Sequence, residues 1–225
     1  MCRALLRAPT VLTASQARRL LLAARGHRLE ALVCVAIALP MRPTEYCGLT
    51  WSAVDLGQRR LFIRHGLERR DGILQLAAVK TNRPHAVALP DAIVDALQDH
   101  RERQEVERRV AGDAWEEHGL VFCSQQGRPL LERNVVRTFK AWLARAELPA
   151  EIRLYDLRHS CATLLLAQHV PLRMIMELLG HADIRTTANV YAHVLPTLAE
   201  ETAKAMDAIL RPVPMDDSDQ VAESM

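Results

Sequence analysis

Apolar residues fall at helical spacing along most of this chain and at alternating spacing over one short stretch. Thr13 and Gln16 stand three apart, as in a capping box, and Leu20, Leu21 and Ala24 then share one face. That pattern predicts a first helix. A second is predicted from about residue 29 to 39. Pro40 and Pro43 break it and leave Met41 and Arg42 in a turn. Residues 45–49 predict a short helix, and residues 51–56 lead out of it.

The texture then changes. Residues 61–64, 73–79 and 85–89 are short apolar or alternating runs, separated by Gly66, by Asp71 with Gly72, and by Asn82, Arg83 and Pro84. This predicts a small antiparallel sheet with turns, and puts Lys80 where a strand meets the following turn. Asp91 is expected to cap a long amphipathic helix with Ile93, Val94, Leu97, Val106 and Val110 facing inward. Residues 111–119 read as a loop, 120–122 as a short extended segment and 126–129 as a turn. Helices are predicted over about 132–146, 155–168, 171–179, 184–194 and 197–210. Pro171 suits a first helical turn and Gly180 a C-terminal cap. The sum is a mostly helical α+β fold with one small antiparallel sheet near the N-terminal third.

Composition adds limits rather than an identity. The 225 residues are 49% hydrophobic and 25% charged, so a sizeable core can be buried. Aromatics are only 4%, so Leu, Ala, Val and Ile must build it. No apolar run has transmembrane length, which predicts a cytoplasmic protein with no membrane partner. The five cysteines (Cys2, Cys34, Cys47, Cys123 and Cys161) are odd in number and form no C-x-x-C pair. That argues against a disulfide framework and against a zinc site.

The net charge of +2 hides an uneven distribution. The tail beyond Pro214 holds four of the 27 acids and no base, so the remainder carries 29 basic against 23 acidic residues, about +6. Arginines cluster at Arg59, Arg60, Arg64, Arg69 and Arg70, and again with Arg128, Arg133, Arg137, Lys140 and Arg145. Guanidinium groups bind phosphate bidentately, so both clusters suit a nucleic-acid backbone. Solvated helix faces would give the same composition.

Five groups form one candidate site: Arg42 with Glu45, Lys80, Tyr155 with Arg158, His181, and Tyr191. Each alone has an ordinary explanation as a solvated charge, a cap or packing. Their order and contexts carry the signal. Segments 38–55 around Arg42, 154–166 around Arg158, and 178–191 from Leu178-Leu179-Gly180-His181 to Tyr191 resemble the tyrosine recombinase, or phage integrase, family. They look like its first-arginine box, its H-x-x-R box and its L-G-H…Tyr box. The resemblance runs from about Leu12 to Leu210.

The resemblance implies a site-specific recombinase that cleaves and rejoins DNA through a covalent 3′-phosphotyrosyl bond. Tyr191 would be the nucleophile. Arg42 and Arg158 would fork onto the non-bridging phosphate oxygens, and His181 would add a hydrogen bond. Lys80 would protonate the departing 5′-oxygen, and Glu45 would orient Arg42. The phosphotyrosyl bond keeps the energy of the broken DNA bond, so no nucleotide, cofactor or metal is implied. No P-loop and no acidic metal cluster is evident in the sequence. Double-stranded DNA is the implied partner, with Arg59, Arg60, Arg64, Arg133, Arg137 and Lys140 as candidate contacts. A homo-oligomer, a tetramer on DNA joined through the helix over 197–210, and a nucleoid-associated location are also implied.

Two departures from the family pattern matter. Tyr155 stands where the H-x-x-R box usually has histidine, and a neutral phenol is a poor base near pH 7. His159 is the tempting substitute, but it points about 100° from Arg158 on a helix, which favours packing. His100 and Arg103 form a second H-x-x-R spacing without supporting context. The other departure concerns length. Residues 1–11 are expected to be a short segment with the family's core-binding domain largely absent, 12–212 the catalytic domain, and 213–225 an acidic, disordered tail. Two further readings stand beside the recombinase: a catalytically impaired DNA-binding remnant, and a type IB topoisomerase-like enzyme.

Overall fold

The computed structural model describes residues 9–70, 73–78, 85–180 and 206. The first helix, α1 (Ala14–Ala24), starts where expected. The Thr13 hydroxyl accepts from the Gln16 backbone at 3.2 Å, and the Gln16 side chain accepts from the Thr13 backbone at 2.8 Å. Helix α2 (Glu30–Ala38) is apolar nearly all round, and Ala31, Leu32, Val33, Val35, Ala36 and Ile37 are buried. A helix of that kind needs cover on every side. It receives it from α1, from α4 (Asp91–Ala111) and from α6 (Asp156–Ala167), while α1 also packs on α5 (Glu132–Arg145).

The turn at Pro40 delivers the chain into α3 (Pro43–Cys47), which begins two residues earlier than expected because Pro43 is preorganised for a first helical position. Five strands follow: β1 (Val54–Asp55), β2 (Arg60–Ile63), β3 (His65–Arg70), β4 (Ile73–Ala78) and β5 (His85–Ala88). They form two antiparallel sheets, one of order β1-β2-β5 and one pairing β3 with β4. Gly66, read from sequence as a separator, lies inside β3. Its reason is proximity. A Cβ on Gly48 would stand 2.7 Å from the Leu67 nitrogen and 2.8 Å from the Gly66 carbonyl carbon, so α3 and β3 approach as only glycines permit.

Helix α4 corrects two expectations. Pro90 is the N-cap and Asp91 the first helical residue, where its carboxylate faces the positive end of the helix dipole and pairs with Arg59 at 2.6 Å. Ile93, Val94 and Leu97 are buried as expected, but Val106 is 51% and Val110 83% exposed. The inward positions after Leu97 belong instead to His100 and Gln104, and the last turns run past the core. Near the chain's end, Pro171 is the N-cap of α7 (Leu172–Leu179) rather than part of its first turn. Gly180 caps that helix in the left-handed region, φ 62°.

Among the described residues, no helix is long and apolar enough to cross a membrane. Cys34, Cys47, Cys123 and Cys161 are free thiols. Lys80, His181, Tyr191 and the tail lie outside the described residues. So do the helices expected over 184–194 and 197–210, apart from Met206, which is helical.

Candidate functional site

Three of the expected site residues meet at one point. Arg42 is the N-cap of α3, and Glu45 is the third residue of that helix. The Glu45 carboxylate accepts from the Arg42 guanidinium at 2.7 Å through Oε1 and from the Arg42 backbone at 2.7 Å through Oε2. Glu45 thus holds both the side chain and the backbone N–H of the N-cap residue, while the donor-only guanidinium returns no cap bond to the helix. Arg158, on the first turn of α6, brings a guanidinium nitrogen to 3.9 Å from Glu45 Oε2. It also donates to the Pro40 carbonyl on one side and the Leu179 carbonyl on the other. One buried carboxylate therefore stands between two arginines from distant parts of the chain.

Burial divides their roles. Arg158 is 2% exposed and Glu45 5%, whereas the Arg42 side chain keeps 27% of its surface. A buried cation needs partners, because desolvation otherwise costs several kcal/mol. Arg158 finds them in Glu45 and in two backbone carbonyls from the segments that end α2 and α7. Arg42 keeps part of its side chain in reach of solvent. A group with phosphate-like oxygens can be met there by a guanidinium whose position Glu45 already fixes.

The neighbouring nucleophiles are quiet. Cys47 and Cys161 flank the site, and burial pushes both thiols up to about 12, so neither is a thiolate at neutral pH. Tyr46 is 1% exposed, and its hydroxyl is pushed well above the ordinary phenol range by the same desolvation. Tyr155, immediately before α6, is 39% exposed. Its ring lies edge-on to His159, one turn along, with centroids 5.3 Å apart. Burial, with Asp156 opposing and Arg158 and Arg153 assisting, holds the His159 imidazole below its ordinary value of 6.5.

The candidate phosphate-binding residues separate into two groups. Arg60, Arg64, Arg133 and Arg137 are exposed, and Arg133 and Arg137 lie one turn apart on α5. The Arg64 guanidinium sits 4.9 Å over the Phe62 ring. Arg59 is held by Asp91, and Lys140 donates to the carbonyls of Ala150 and Ile152, the latter at 2.6 Å. Those two cations have partners within the chain. A cleft of about 820 Å³ lies between α3, the β3–β4 pair and the start of α5, with Pro43 and Thr44 on one wall and Arg69 and Arg133 among the lining residues. Sequence reasoning missed the Pro40 and Leu179 carbonyls as partners of Arg158, since backbone groups carry no residue signal. It found the Arg42–Glu45 spacing but not the capping geometry that uses it.

The profile of the phage integrase family matches residues 10–197. A tyrosine recombinase XerC-like protein of Caldanaerobacter subterraneus is 34% identical over 188 residues, covering 77% of this chain and 48% of the relative. An integrase of Streptomyces ambofaciens is 36% identical over 211 residues, covering 89% and 53%. The chain thus spans about half the length of these curated relatives. Among solved structures, the Tn1549 transposon integrase with transposon right end DNA superposes with a TM-score of 0.73 at 21% identity, over 91% of this chain and 68% of the other. XerA recombinase gives 0.67 at 24% identity, over 92% and 65%. At those identities the likeness establishes the fold.

Proposed function

The chain belongs to the phage integrase family, and from that premise we propose that it carries the catalytic centre of a site-specific DNA strand transferase. In this reading residues 12–212 are the catalytic domain, and Tyr191 is the nucleophile. The observation that carries the reading is the junction of Arg42, Glu45 and Arg158. Two guanidinium groups, from segments 116 positions apart in the sequence, are fixed by one buried carboxylate.

The chemistry follows from the charge it must handle. Attack on a phosphodiester collects negative charge on the non-bridging oxygens, and preorganised donors lower that barrier by several kcal/mol. Arg42, part-exposed, supplies such donors. Arg158 supplies them by exchanging a carbonyl partner for a phosphate oxygen. His181 stands two positions after Leu179, whose carbonyl accepts from Arg158, and adds a further hydrogen bond in this proposal. Lys80 protonates the 5′-oxygen as it leaves. The duplex is held by the exposed Arg60, Arg64, Arg133 and Arg137, with weaker contributions from Arg59 and Lys140 because both have partners within the chain. A tetramer on DNA joined through residues 197–210, in a cytoplasmic and nucleoid-associated setting, completes the proposal.

The test is covalent capture. The 225-residue chain is incubated with a pool of nicked duplexes of randomised sequence, and protein-linked DNA is recovered under denaturing conditions. An adduct that disappears in Tyr191→Phe supports the assignment; an adduct that persists in that variant overturns it. Tyr155 favours a second reading, a DNA-binding remnant with impaired turnover. That reading predicts retention of duplex DNA at low salt with no adduct from any sequence in the pool.

A further inference from the structure

Strand β2 shows one side to the core and the other to solvent. Leu61 and Ile63 are 0% and 2% exposed. Arg60 and Phe62, and Arg64 immediately after the strand, take the opposite side by the alternation of an extended chain. Across the strand pair, Phe62 faces Ala86 and Arg60 faces Ala88, and both alanines are exposed. A methyl group is too short to cover a phenyl ring. The Arg64 guanidinium covers it instead, with its central carbon 4.9 Å from the ring centroid.

Stacking fixes where the donors of Arg64 point. A guanidinium on an aromatic face uses its flat surface, and its N–H groups lie in the plane, at right angles to that contact. The stack therefore leaves the fork able to meet an oxyanion. No carboxylate among the described residues pairs with it. Glu45 lines the same narrow recess as Phe62 and Arg64, but both of its oxygens are bonded to Arg42. The other stacked arginine, Arg101 over Trp51 at 5.2 Å, differs on this point, since Glu102 and Glu105 line its groove. Arg64 is thus a cation braced beside the Arg42–Glu45 pair.

We propose that Phe62 is a positioning residue for substrate binding: it holds Arg64 ready for a backbone phosphate of the duplex, next to the one attacked. This rests on the reading of duplex DNA as the ligand. In that reading Arg42 and Arg158 serve the attacked phosphate. Arg64 belongs to neither of their hydrogen-bond sets, so it takes a neighbouring one. A free arginine gives up side-chain freedom when it grips a phosphate, and that loss weakens binding by roughly threefold or more. A stacked arginine has given up part of that freedom beforehand. Phe62 touches no DNA in this scheme and acts through Arg64.

The experiment is fluorescence anisotropy of a short duplex of random sequence, at several salt concentrations, with melting followed in parallel. Arg64→Ala should weaken binding about tenfold and reduce the slope of log affinity against log salt by about one. Phe62→Leu should weaken binding about threefold and leave that slope in place, because the charge still finds its phosphate. Phe62→Tyr keeps the ring face and should bind within about twofold of wild type. In the Arg64→Ala background, Phe62→Leu should cost nothing further, whereas a phenylalanine that only packs would act equally in both backgrounds. Equal losses in both backgrounds, wild-type affinity in Phe62→Leu, or an unchanged slope in Arg64→Ala overturns the proposal. If Phe62→Leu fails to fold, Arg64→Lys decides. It keeps the charge and loses the planar contact, so affinity should fall about threefold at constant slope, and wild-type affinity overturns the brace. A wild-type chain that retains no duplex at low salt removes the DNA reading and this proposal with it. Retention of the duplex with unaffected variants removes this proposal alone.

Discussion

Two buried polar clusters tie down helices that pack on α2, and they are built from different materials. One joins α3 to α6 through Arg42, Glu45 and Arg158. The other joins α4 to the 120–123 segment. There the Gln104 amide donates to the carbonyls of Leu120 at 3.1 Å and Val121 at 2.9 Å, accepts from the Trp51 indole at 2.6 Å, and lies one turn from His100, whose Nε2 bonds Val121 O at 2.7 Å. The first cluster is charged and retains one part-exposed arginine. The second is neutral, and nearly all of its capacity is turned inward. Charge is costly to bury, so a fold that needs only a clamp uses amides and an imidazole. A fold that must meet an anionic ligand keeps arginines and fixes them with a carboxylate.

The sharpest way to break the comparison is to remove the buried cation. Arg158→Ala leaves Glu45 with one partner and the Pro40 and Leu179 carbonyls without theirs. Breaking a buried charge pair costs about 3–5 kcal/mol, so the unfolding free energy in urea should fall by that order and adduct formation should vanish. A loss below about 1 kcal/mol would mean the guanidinium is not structural. Arg42→Lys probes the part-exposed half. It keeps the charge but loses the fork, so adduct formation should drop by about 10²–10³ while the urea midpoint barely moves. Equal losses of rate and stability would erase the distinction between Arg42 and Arg158.

These two clusters also mark how much the sequence revealed. The Arg42–Glu45 spacing, the prolines around Met41 and the Gly180 cap were legible because each depends on neighbours a few positions away. The partners of Arg158 were not, since backbone carbonyls from residues 40 and 179 look like any others. The clamp was invisible for a related reason. An apolar periodicity placed Val106 and Val110 inward and passed over His100 and Gln104, but only the ends of neighbouring elements decide where α4 leaves the core. Strand β3 was hidden by Gly66, which a turn and a close backbone approach require equally.

The neutral cluster should respond in the opposite sense to the charged one. Gln104→Ala strips the Trp51 indole and two carbonyls of a partner and should cost about 1–3 kcal/mol in urea unfolding. The adduct rate per folded molecule should stay within twofold of wild type. A tenfold fall in that rate would tie the clamp to the chemistry and merge the two regions.

His100 gives the smallest and most specific effect. It is 2% exposed, and burial holds its imidazole below the ordinary value of 6.5, although its bond to Val121 opposes the shift. Its Nδ1 has no hydrogen-bond partner among the described residues, so a second proton would find no acceptor there. The sign follows from linkage. Between the folded and unfolded pKa values the unfolded chain binds the extra proton, so stability is complete above pH 6.5 and is lost as pH falls below it. One histidine contributes a slope of at most about 1.4 kcal/mol per pH unit. His27 and His159 are shifted the same way, so the wild-type slope contains all three. In urea unfolding between pH 7 and 5.5, His100→Gln should therefore flatten the decline without abolishing it. Identical slopes in the two proteins would show that His100 is as neutral in the unfolded chain as in the fold, and the clamp would then owe nothing to its protonation state.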